Sequence, residues 1–94
     1  MGRDSYQQTM EQRFRDLSFQ IECVKARLSE SSDGLRRELA GTLSLLERRR
    51  DIMREKLDAL QDEPDGTWED LKAEVEDEWD ALCQDFEERV ANLA

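Results

Sequence analysis

Between Thr67 and Leu93 the apolar residues Trp68, Leu71, Val75, Trp79, Leu82, Phe86, Val90 and Leu93 are separated by 3, 4, 4, 3, 4, 4 and 3 positions. Those steps average close to the ~3.6-residue helical period, so all eight fall on one face of a helix. Ten of the eighteen residues between them are Asp or Glu. So regular a stripe must be buried against another apolar surface, and that requirement constrains the rest of the chain. Pro64, Asp65 and Gly66 are expected to end whatever precedes them. Thr67 then serves as N-cap, with Asp70 at the capping-box position and Glu69 near the positive end of the helix dipole.

Two earlier stripes supply the surface. Tyr6, Met10, Phe14, Leu17, Ile21, Val24 and Leu28 step by 4, 4, 3, 4, 3 and 4 positions. Leu35, Leu39, Leu43, Leu46, Met53, Leu57 and Leu60 follow in the same manner. Between them lies Ser29–Gly34, SESSDG, whose serines, aspartate and glycine are poor helix formers, with Ser32 or Asp33 placed to cap a new helix. Periodicity argues the other way. The centre of the Leu35–Leu60 stripe lies within roughly 10–20° of where the Tyr6–Leu28 stripe would point if one helix ran straight through. Carrying a helix across the weak stretch costs only ~3 kcal/mol in propensity.

The favoured reading is an all-α antiparallel helical coiled coil forming a single domain, residues 1–94. One long helix spans about 5–62, with a break at 29–34 left open, and a return helix spans 67–93. The alternative is a three-helix bundle. A return helix covers about 40 Å of a long helix of about 87 Å, leaving Tyr6–Leu28 bare. The favoured form therefore predicts a homo-oligomer, most simply a twofold dimer. Leu45, Ile52 and Ala59, spaced by seven, make a second apolar seam on the middle segment. Two seams imply two neighbours. Arg48, Arg49 and Arg50 are expected to face Glu76, Asp77, Glu78 and Asp80 across an antiparallel pair.

Charge is distributed unevenly. Residues 1–30 carry five basic and five acidic side chains, and residues 31–62 carry seven of each. Residues 63–94 carry two basic and twelve acidic ones, the whole net charge of −10. The plainest account is a solvated face that governs solubility and association rather than fold. The sharper one is a binding face for a basic protein partner over residues 69–88.

Composition excludes several function classes. With 37% apolar and 40% charged residues the chain would suit disorder, were its periodicity not so strong. No run approaches the ~18 apolar residues of a membrane span. MGRDSYQQTMEQRF has no apolar core of the kind a signal peptide needs, so cytoplasmic residence is expected. The chain has no histidine, and Cys23 and Cys83 stand alone, which removes the usual zinc, redox and Glu-x-x-His di-metal patterns. Both thiols sit just off the stripes and read as small half-buried side chains. No nucleophile–base pair and no phosphate-cradling glycine loop is present. Three adjacent arginines in an acidic chain do not make a nucleic-acid site. The acidic polar face is also wrong for anionic lipid. The chain is read as a non-enzyme with no catalytic, cofactor-binding or metal residue and no cofactor.

From about Glu55 onward the chain resembles a family of short bacterial coiled-coil proteins, some of which carry a general stress-response label. The resemblance rests on Trp68-Glu69-Asp70-Leu71-Lys72 and on the later Trp79, Leu82 and Phe86, over about forty residues. The chain departs from the family in favouring arginine over lysine and alanine, and at SESSDG, where members read as unbroken helix. The resemblance implies a continuous first helix and no enzymatic activity, cofactor or substrate. The expected function is a non-enzymatic helical interaction or structural protein, stress-associated by this resemblance. It would act through self-association or partner-helix packing.

Overall fold

The computed structural model describes residues 2–91, which form three α-helices: α1 (Arg3–Leu28), α2 (Asp33–Asp62) and α3 (Asp65–Ala91). The three pack against one another in a body of 51 × 18 × 17 Å. Helix α2 runs back along α1, and α3 runs back along α2. Both flanking helices lie closer to α2 than to each other. Leu93, placed last in the third stripe, lies outside the described residues.

The continuous helix expected over 5–62 is not formed, because the chain reverses at Ser29–Ser32. The backbone N–H groups of Glu30 and Ser31 donate to the carbonyls of Arg27 and Leu28 at 3.2 and 3.4 Å, a tightened last turn. Serine hydroxyls add further bonds there, Ser29 Oγ donating to Ala26 O at 3.0 Å and Ser31 Oγ joining the Glu30 N–H on Arg27 O at 2.7 Å. Arg36 then reaches back from α2 to Leu28 O and Ser31 O, both at 3.3 Å. Ser32 occupies the N-cap position with extended backbone but makes no side-chain cap bond.

Magnitudes explain why the break wins. An unbroken helix gives up only ~3 kcal/mol of propensity across SESSDG, but it leaves the first stripe wet. Folding back buries Met10, Leu17, Ile21 and Val24. Each such side chain contributes about 1.5–3 kcal/mol. The in-phase stripes that favoured continuity carry no weight once the helices face each other, because each then buries its own stripe independently.

The core is the three stripes brought together. Leu46, Met53, Leu57, Leu60, Val75 and Leu82 are completely covered, and Trp68 is 7% exposed. Tyr6, Phe14, Leu71, Trp79, Phe86 and Val90 pack around them half-buried. The second seam expected on α2 is not used. Leu45 is half-buried, but Ile52 and Ala59 face solvent. Helix α2 meets both its neighbours with one broad leucine face.

Only Glu63 and Pro64 separate α2 from α3. Asp65 and Gly66, expected in the break, lie in the first turn of α3. Thr67 is therefore not the N-cap. Its hydroxyl donates backward to Glu63 Oε1 at 2.5 Å. A proline just before the first turn forfeits no helical hydrogen bond, which lets so short a link hold.

Candidate functional site

Charged residues on the α2 flanks fasten two of the three helix–helix seams. Between α1 and α2, Arg54 grips Glu11, and Arg50 lies 3.8 Å from Glu22. Between α2 and α3, Arg49 Nε stands 2.5 Å from Asp85 Oδ2, close as an ion pair but without hydrogen-bond geometry. The arginine triplet thus divides between both neighbours. Its expected partners Glu76, Asp77, Glu78 and Asp80 form no ion pair among the described residues, the contact having slipped to Asp85.

The third seam, between α1 and α3, is fastened at one end. Arg3 pairs with Asp65 and donates to the carbonyls of Leu60 and Glu63 at 3.2 and 2.5 Å, capping the end of α2. Its guanidinium carbon lies 5.4 Å from the centre of the Trp68 ring. Tyr6 meets Trp68 edge to face at 5.7 Å. The Lys72 ammonium stands 4.8 Å from the Tyr6 ring centre and 5.5 Å from that of Trp68. The Tyr6 hydroxyl donates to Glu76 Oε1 at 3.3 Å. Burial, and then the Glu76 carboxylate, push the Tyr6 hydroxyl up to about 12.

Beyond this clasp α1 and α3 enclose a groove of about 280 Å³. Leu17 of α1 and Trp79, Cys83 and Phe86 of α3 give it an apolar floor. Arg13, Asp16 and Gln20 form the α1 rim, and Glu87 belongs to the α3 rim. Burial raises the Cys83 thiol above its ordinary value, with Glu87 and Asp80 adding to the rise. Cys23 is exposed and Cys83 half-buried, and both are free, so only Cys83 matches the expected half-buried thiol. Comparison with protein-family models, curated proteins and solved structures finds no match to this chain.

A second hollow, of about 830 Å³, opens where the start of α1 meets the end of α2. It is polar, and several of its side chains are tied to one another. Gln7 Nε2 donates to Glu11 Oε1 and to Leu57 O, both at 3.0 Å, and Arg54 is held by Glu11 and Asp58. Such a network fixes α1 on α2 rather than presenting reactive groups.

The acidic stretch suggested as a partner face, residues 69–88, is divided by the fold. Asp85 faces α2, Glu76 turns toward Tyr6, and Asp70, Asp77 and Glu88 are exposed. Reading the sequence did not single out the groove. Its only trace there is positional: Asp16, Gln20 and Cys83 flank their stripes, where a neighbouring helix would touch. Among the described residues no helix is long and apolar enough to cross a membrane.

Proposed function

We propose that this protein is a non-enzymatic helical interaction module, a three-helix bundle whose α1–α3 seam receives an apolar helix face. The observation that carries this reading is the groove itself, where Trp79, Cys83 and Phe86 remain part-exposed beside Leu17. Aromatic side chains beside a shallow apolar cleft are what helix-in-groove recognition uses. The resemblance of the C-terminal segment to bacterial coiled-coil proteins supports the same reading and adds a stress association. Homodimer formation had rested on a bare Tyr6–Leu28 stripe. With Met10, Leu17, Ile21 and Val24 buried within the chain, partner-helix packing is the better-supported mode.

Differential alkylation of the two thiols tests it. Cys83 lies in the groove floor, and exposed Cys23 serves as an internal reference. In the native cell extract Cys83 should react more slowly relative to Cys23 than in dilute purified protein. Equal ratios in extract and in dilute and concentrated protein would reject the reading.

A further inference from the structure

We propose that the occupant of the α1–α3 groove is a basic amphipathic helix, two turns of which sit on Leu17, Trp79, Cys83 and Phe86. Its lysines or arginines would face Asp80 and Glu87. This rests on the interaction reading above and names the partner's chemistry. The span from Trp79 to Glu87 is about 12 Å along α3, close to two helical turns. Such a length admits apolar residues at i, i+3 or i+4, and i+7.

Charge selects among occupants. The α1–α2 and α2–α3 seams each have an arginine cross-link. Among the described residues the α1–α3 seam has one only at its end, Arg3 with Asp65. Along the groove Asp16 and Glu87 are offset by Arg13 alone, and exposed Asp80, next to Trp79 in sequence, adds its charge at Cys83. None of the four forms an ion pair among the described residues. A helix bearing cations completes this seam as the arginines of α2 complete the others. A second copy of the chain does not. It brings another net charge of −10, and a twofold contact would set these acids against themselves. A two-turn contact buries little area, so the complex is transient and weakened by salt.

Three helix-stapled synthetic peptides of about four turns test this. One has a leucine stripe with lysines beside it, one the same stripe with glutamates, and one the lysines with glutamine in the stripe. Fluorescence anisotropy reads binding to the full chain, and Cys83 alkylation reads its location. The leucine–lysine peptide should bind and protect Cys83, and the other two should not. The double variant Asp80→Lys/Glu87→Lys should weaken binding about tenfold. Asp70→Lys/Asp77→Lys, on the outer face of α3, should have much less effect. Circular dichroism confirms that both variants fold.

Equal loss from the two double variants would mean diffuse charge attraction and would overturn the proposal. Equal binding of the glutamate peptide would overturn the basic partner while leaving the groove as a docking seat. Protection of Cys83 by raised protein concentration alone would give the seat to a second copy and overturn the proposal. If no peptide and no concentration protects Cys83, this inference falls, and the interaction reading falls with it only where cell extract leaves Cys83 equally reactive.

Discussion

Arg54 on α2 holds Glu11 on α1 through two nitrogens, Nη1 to Oε2 at 2.7 Å and Nη2 to Oε1 at 2.5 Å. The same guanidinium lies 4.9 Å from the centre of the Phe14 ring and donates twice more to Asp58 Oδ1, from Nε at 3.1 Å and Nη2 at 2.7 Å. A planar fork held this way fixes the register of one helix on the other, which a point-charge lysine would not do. Glu11→Gln should cost about 1 kcal/mol at neutral pH, a modest figure because the pair is partly solvated. Arg54, and then Gln7, hold the Glu11 carboxyl below its ordinary 4.5. A lowered carboxyl stabilises the fold above its unfolded value, and that contribution disappears as pH falls through the folded one. Urea unfolding should therefore show a gap between parent and variant that is constant above about pH 5 and narrows on acidification.

Tyr6 is the one tyrosine of the chain, so its titration can be followed by ultraviolet absorbance. The midpoint should lie near 12 in the folded protein and return to about 10 in urea. Here the folded value is the raised one. Stability is whole below about pH 10 and declines as pH climbs toward 12. Tyr6→Phe should flatten that alkaline decline. An unchanged decline would assign it to other groups.

The three stripes and all but the ends of the helices were legible in the sequence because burial follows the helical period so closely here. The turn was not decided by sequence, because propensity at SESSDG and stripe phase opposed each other within a few kcal/mol. Tertiary burial of the first stripe settles that contest, and no local signal reports it. Thr67 misled for a related reason: Pro64 supplies the helix start two residues earlier, leaving the threonine inside the first turn. The groove was hidden because periodicity identifies which face is buried, not how far two neighbours of the same helix stand apart.

Apolar residues on different faces should behave very differently. Leu46 is fully covered, whereas Phe19 is 70% exposed on the outer side of α1. Leu46→Ala should cost about 2–5 kcal/mol through lost transfer energy and the cavity left behind. Phe19→Ser should stay within about 0.5 kcal/mol. Chemical denaturation of both variants checks the assignment of faces, and a large loss at Phe19 would reject it.

Gly41 lies inside α2 on its exposed side, and a Cβ built there meets nothing within 4 Å. Glycine in a helix interior spends backbone entropy that alanine does not. Gly41→Ala should raise stability by about 0.5–1 kcal/mol, seen as a higher denaturation midpoint at unchanged slope.

The thiols give the most direct view of the α1–α3 seam. In the dilute purified chain Cys23 should alkylate well before Cys83, since one is exposed and the other half-buried with a raised thiol. Burial is the leading cause of that rise, ahead of Glu87 and Asp80. Removing the charges with Asp80→Asn/Glu87→Gln should therefore speed Cys83 only in part and leave it slower than Cys23. Phe86→Ala, which opens the groove floor, should speed it further, because thiolate formation and access then improve together. Mass-spectrometric rates across a pH series separate the two contributions. A change in thiolate fraction shifts the rate profile along pH, whereas a change in access raises it throughout.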